Sequence, residues 1–136
     1  MYHSAVVSSE GAVIVDRAPN TGARGRSRPV AYGSVELWPE EYQAWVAGRR
    51  LSLTRREFEV LHVLVADGGH VITKERLHEA VWGHHRPPGS RDRNVDVQVR
   101  HLRVKFGDVA PQWRFIHTHF GIGYRFDPEP REEGQA

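Results

Sequence analysis

The stretch Arg91–Gly107, RDRNVDVQVRHLRVKFG, decides how the chain is read. Val95, Val99, Leu102 and Phe106 fall at i, i+4, i+7 and i+11, the spacing of one buried helix face. Asn94, Val97, Gln98, His101 and Lys105 form a neighbouring stripe, mostly of groups able to touch base edges or phosphates. Arg91, Arg93, Arg100 and Arg103 surround that stripe with positive charge, opposed within the stretch by Asp92 and Asp96. A helix that docks by an apolar stripe and presents an amide, an imidazole and cations beside it suits the DNA major groove. An ordinary solvated surface helix fits the same pattern, so the stretch has to be read in context.

The chain has 136 residues, enough for one domain with its own core, and 39% of them are hydrophobic. It contains no cysteine, which excludes disulfides, thiolate metal sites and cysteine nucleophiles, and fits a reducing compartment. No apolar run approaches the ~20 residues of a membrane span. The start lacks the basic and apolar segments of a signal peptide, so the expected location is the cytoplasm. Net charge is only +2, but its distribution is uneven. Positions 89–107 hold five Lys/Arg against two Asp, whereas 127–136 carries Asp127, Glu129, Glu132 and Glu133 against Arg131. Gathered basic charge is the electrostatic footprint of a nucleic-acid binder.

Residues 1–30 are turn-rich and polar and are expected to form a flexible leader, in which Ala12–Val15 can form a short strand. Arg24, Arg26 and Arg28 suit either a phosphate-seeking arm or a solvated linker. The domain is expected over 31–127, followed by an acidic disordered tail at 128–136. Within it, period-two alternation predicts strands over Tyr32–Trp38, Tyr42–Val46 and Leu51–Leu53. Thr54 and Glu57 have the spacing of a capping box and predict a helix carrying Phe58, Leu61, Leu64 and Val65 inward until Asp67-Gly68-Gly69. A short strand over His70–Ile72 follows, and Thr73 caps a second helix, Lys74–Trp82, with Leu77, Ala80 and Val81 as its buried side. Two prolines and two glycines make Gly83–Ser90 a loop, with Ser90 positioned to cap the basic helix. Phe115–Thr118 and Gly123–Phe126 read as a hairpin.

The resulting order is meander, helix, short strand, helix, loop, basic helix, hairpin: an α+β winged helix-turn-helix with an N-terminal antiparallel sheet. Leu53–Leu61 (LTRREFEVL), Val81–Gly83 (VWG), Asn94–Arg103 (NVDVQVRHLR) and Gly121–Phe126 (GIGYRF) resemble the OmpR/PhoB-type winged-helix DNA-binding domain of bacterial response regulators. The resemblance covers residues 31–127. It implies sequence-specific binding of double-stranded promoter DNA, with the basic helix in the major groove and the hairpin wing at the minor groove. It further implies a head-to-tail homodimer on DNA and contact with RNA polymerase through the 83–90 loop.

Arg93, Asn94, Val97, Gln98, Arg100 and His101 match the family's DNA-facing positions. Their chemistry is suitable: Asn94 or Gln98 can pair with adenine, Val97 can meet a thymine methyl, and arginine can grip guanine or phosphate. Asp96 either accepts from cytosine or pairs with Arg100 at i+4 and orients it, the second role being preferred. Arg91 adds charge, and Arg103 and Lys105 suit phosphate or structural contacts better than base reading. Trp82 is either core or a phosphate donor. On the wing, Thr118, His119, Phe120 and Arg125 complete the expected DNA-binding set.

The wing departs from the family pattern, because Phe120 stands where many members carry arginine. That leaves a second reading open, a winged-helix protein-interaction module with weak or lost DNA binding. The nine histidines make no complete ligand set, so no metal is expected. Neither a cofactor nor catalysis is expected, since no nucleophile–base constellation appears.

Overall fold

The computed structural model describes residues 5–7, 13–15, 28–83 and 90–131, with side chains over 28–83 and 94–131. Strands β1 (Ala5–Val7) and β2 (Val13–Val15) pair antiparallel, so the strand expected near Val15 has a partner ten residues upstream within the segment expected to be a leader. Next come β3 (Val30–Tyr32), β4 (Val35–Trp38), β5 (Gln43–Val46) and β6 (Arg49–Leu51), a sheet in sequential antiparallel order. The single strand expected over Tyr32–Trp38 is therefore two. Gly33, at φ +62°, turns the chain between them.

Helix α1 (Arg55–Ala66) begins as its sequence dictates. The Thr54 hydroxyl accepts from Glu57 N at 3.2 Å, and Glu57 Oε1 accepts from Thr54 N at 2.9 Å. An N-cap of this kind contributes about 1 kcal/mol. Strand β7 (Val71–Thr73) leads into α2 (Lys74–Trp82), capped by Thr73. Leu77 and His78 are the buried residues of α2, while Ala80 is exposed and Val81 half-buried. The inner face thus holds Leu77 and Val81, which packs against the core, together with His78, whose ring stacks on Trp82 at 5.0 Å; Ala80 is the expected member that faces out. Helix α3 runs Ser90–Val109, slightly longer than its sequence pattern.

The chain ends in β8 (Trp113–His119) and β9 (Gly123–Pro130), both longer than expected, with β9 continuing past residue 127. Strand β9 lies between β7 and β8, giving a three-stranded sheet rather than an isolated hairpin. Gly123 is required at the β7 crossing, since a Cβ there would lie 1.9 Å from the Ile72 carbonyl oxygen.

One core joins these elements. Val35, Leu37, Val46 and Leu51 of the first sheet meet Phe58, Leu61 and Leu64 of α1. Val95, Val99, Leu102 and Phe106 of α3 are all buried, as their spacing predicts, and extend the core to Ile72, Phe115, Tyr124 and Phe126. Phe106 stacks on Phe115 with ring centroids 4.3 Å apart. The architecture is the winged helix-turn-helix expected from the sequence, and α3 is held by both α1 and the wing.

Candidate nucleic-acid interface

The buried stripe of α3 determines where its other side chains point, because residues advance about 100° around a helix. One flank carries Asn94, Gln98 and Lys105, all half-buried, and from it Lys105 reaches α1. The opposite flank carries Asp96 and Arg103, directed toward α2 and the wing. Between them lies an outer arc of Val97, Arg100, His101 and Val104. Arg100 and His101 are exposed, and Val104 is 60% exposed. Arg91 and Arg93 lie outside the residues whose side chains are described, as do Ser90 and the 84–89 part of the loop.

Several cations expected to face a ligand are engaged within the fold. Lys105 Nζ donates to Glu57 Oε1 at 2.6 Å, and His101 Nδ1 lies 3.2 Å from Glu57 Oε2. Burial would raise the Glu57 carboxyl, but Lys105, the Thr54 N–H and His101 together outweigh it and hold the group below its ordinary value. His101 is still half exposed, so one edge of its ring remains available outside the pair.

Asp96 does not use Arg100 as its partner. Its Oδ1 accepts from the Tyr124 hydroxyl at 2.5 Å, and its Oδ2 accepts from Lys74 Nζ at 3.3 Å. The expected i+4 pair gives way because both Asp96 oxygens are taken by Tyr124 and Lys74, while Arg100 stays exposed. Arg103 spans the junction of α3 and the wing. It donates to the Ile116 carbonyl at 3.0 Å and to the Thr118 hydroxyl at 2.6 Å, and its guanidinium lies over the Tyr124 ring at 5.7 Å.

The wing's polar groups are similarly engaged. Arg125 donates to His119 Nε2 at 3.2 Å and pairs with Asp127. Buried His117 lies 2.7 Å from the Asp127 carbonyl and 3.2 Å from Arg114, so it faces inward rather than toward a phosphate. Phe120 stands apart, 90% exposed at the tip. Half-buried Trp82 is sandwiched by the His78 ring and by the Arg56 guanidinium at 5.3 Å. Residue chemistry alone flagged most of these groups. It missed Lys74 and Tyr124 and read Glu57 only as a helix cap, whereas all three hold α3 from positions remote in sequence.

A helix gripped on two flanks, with Arg100 and His101 exposed on its outer arc and a hairpin beside its edge, has the build of a winged-helix DNA-binding domain. Residues 48–126, more than half of the chain, match the family "Transcriptional regulatory protein, C terminal", and the chain belongs to that family. It is therefore the DNA-binding domain of a response-regulator-type transcriptional regulator, a family of regulators rather than an enzyme class. It is 33% identical over 119 residues to the DNA-binding dual master transcriptional regulator RpaA of Synechocystis, covering 88% of this chain and 48% of RpaA. The chain thus spans about half the length of that relative.

Among solved structures, it resembles the DNA-binding domain of CpxR from E. coli at 29% identity and TM-score 0.62, over 74% of this chain and 96% of the other. It also resembles the Klebsiella pneumoniae RstA DNA-binding domain, solved in complex with the RstA box, at 27% identity and TM-score 0.62, over 73% and 96%. Among the described residues, no helix is long and apolar enough to cross a membrane.

Proposed function

We propose that the chain reads duplex promoter DNA sequence-specifically, with α3 in the major groove and the β8–β9 wing at the adjacent minor groove. The observation that carries this reading is the outer arc of α3, where Arg100, His101 and Val97 are left facing away from the core. Arg100 grips guanine or phosphate, Val97 meets a thymine methyl, and Gln98 reaches adenine from the edge of the arc. Asn94, on the same edge, is a second amide reader, and Arg91 and Arg93 add phosphate anchors at the start of α3. Asp96, Arg103 and Lys105 are assigned to positioning the helix rather than reading bases. Thr118, His119 and Arg125 shape the wing.

The folded unit is taken as 31–127 with the short strand extensions on either side. The family resemblance further supports head-to-tail pairing on direct repeats, polymerase contact through the 83–90 loop and a cytoplasmic location.

Selection of bound duplexes from a random pool tests the reading. A preferred site should emerge, with affinity falling steeply with salt as counterions are released. Gln98→Ala should relax preference at one base position. No preferred site, or a flat salt response, would favour the protein-interaction reading that Phe120 motivates.

A further inference from the structure

The wing tip is apolar where it is most exposed. Phe120 is 90% exposed and Ile122 55% exposed, with Gly121 at φ +78° between them. An aromatic side chain left in water forgoes the free energy of burial, so a surface that covers it gains that energy. The tip is also firmly aimed. Ile122 N donates to the His119 carbonyl at 2.9 Å, Lys74 N donates to the Ile122 carbonyl at 3.3 Å, and Gly123 is packed on Ile72. Phe120 lines a cleft of about 330 Å³ with Arg103, Trp113, Arg114, Thr118 and Arg131. Through the Arg103–Thr118 bond, that cleft is continuous with α3.

We infer that Phe120 is an apolar wedge that enters a base step in the minor groove beside the site read by α3, partly unstacks it and bends the duplex. The inference rests on the proposed placement of the wing at that groove. Phenylalanine is among the side chains that minor-groove proteins insert between base steps, with kinks of about 20–90° toward the major groove. The surroundings favour DNA over a protein partner, because exposed Arg114 and Arg131 on the cleft suit a phosphate backbone passing the tip. Insertion selects deformable pyrimidine–purine steps such as TA and CA/TG. The wing would thus add sequence preference without any hydrogen bond to a base.

The test uses the 136-residue chain and a duplex selected from a random pool. In one set, 2-aminopurine replaces successive adenines across the flank on the wing side; in another, end labels report the bend by energy transfer. Binding should brighten 2-aminopurine at one step and bend the duplex by about 20–90°. Phe120→Ala should lose both signals while keeping its circular dichroism and the salt slope of binding. Phe120→Leu should retain most of the bend, and Phe120→Arg should bind without brightening.

A straight bound duplex, or a Phe120→Ala variant that keeps both signals, overturns the inference while leaving DNA binding intact. If Phe120→Ala alters only self-association of the free protein, the tip is a protein contact and the wedge is again overturned. If no duplex is bound, the wedge falls together with the function on which it rests.

Discussion

Lys105 Nζ of α3 donates to Glu57 Oε1 of α1 at 2.6 Å, a pair formed across 48 residues of sequence. Glu57 is 3% exposed and is also the capping-box carboxylate of α1. One carboxylate therefore starts α1 and fixes how α3 is seated on it. Lys105, although on a basic helix, is used for the fold.

Lys105→Ala should accordingly cost about 1–3 kcal/mol of stability by leaving a buried carboxylate under-paired. The salt slope of DNA binding should not change. Arg100→Ala should do the reverse, leaving stability intact and lowering the slope by about one. Thermal denaturation beside salt titrations of binding separates the two. A lowered slope in the Lys105 variant would make it a phosphate anchor after all.

The first sheet carries a pH-sensitive group. Glu36 on β4 is 5% exposed and stands opposite Trp45 on β5. Burial pushes its carboxyl up to about 7 from an ordinary 4.5. The nearby Trp38 indole offsets part of that rise but is not in hydrogen-bonding geometry, so Oε2 has no partner. Between these two values the folded state holds a proton that the unfolded chain has released, so stability falls as pH rises. The contribution is complete below 4.5 and lost through 7. Glu36→Gln should flatten this limb and be more stable than the parent at pH 8, by on the order of 2–3 kcal/mol. Urea unfolding at a series of pH values checks it, and parallel curves for the two proteins would refute it.

The parts legible in the sequence were those governed by local rules. The Thr54–Glu57 spacing located the start of α1, and the 95, 99, 102, 106 spacing identified the buried face of α3. Distances along the chain obscured the rest. Periodicity cannot reveal that Lys105 is satisfied by Glu57, that Asp96 turns to Tyr124, or that β7 joins the wing. The β3–β4 turn was hidden because Gly33 and Ser34 fit an alternating pattern as readily as they fit a turn. Thus the residue types around α3 set Arg103 and Lys105 apart from the proposed readers, while the partners that hold those two side chains needed the fold.

Two glycines should respond oppositely to the same substitution. A Cβ on Gly123 would lie 1.9 Å from the Ile72 carbonyl oxygen and 2.8 Å from Thr73 Cα, where the β7–β9 pairing leaves no room to yield. Gly123→Ala should cost about 3 kcal/mol or more. Gly107, within α3, has nothing within 4 Å of such a Cβ. Gly107→Ala should stabilise by about 0.5–1 kcal/mol, because alanine loses less freedom in a helix. Melting temperatures of the two variants decide whether the wing's attachment to β7 is as tight as the geometry implies.

Asp96 gives the sharpest test of the division between readers and positioners. It joins α3 to β9 through Tyr124 and to α2 through Lys74, so three elements meet at one carboxylate. Tyr124→Phe removes one hydroxyl and leaves the ring that Arg103 covers, so it should cost about 1–2 kcal/mol with little change in packing. Because the same bond ties α3 to the wing, affinity should fall by a similar factor on every duplex. Asp96→Asn should behave alike, keeping the preferred site while binding it more weakly. Repeating the random-pool selection with both variants supplies the decision. A changed preference at a single base pair in the Asp96 variant, absent in the Tyr124 variant, would mean that the carboxylate reads cytosine directly.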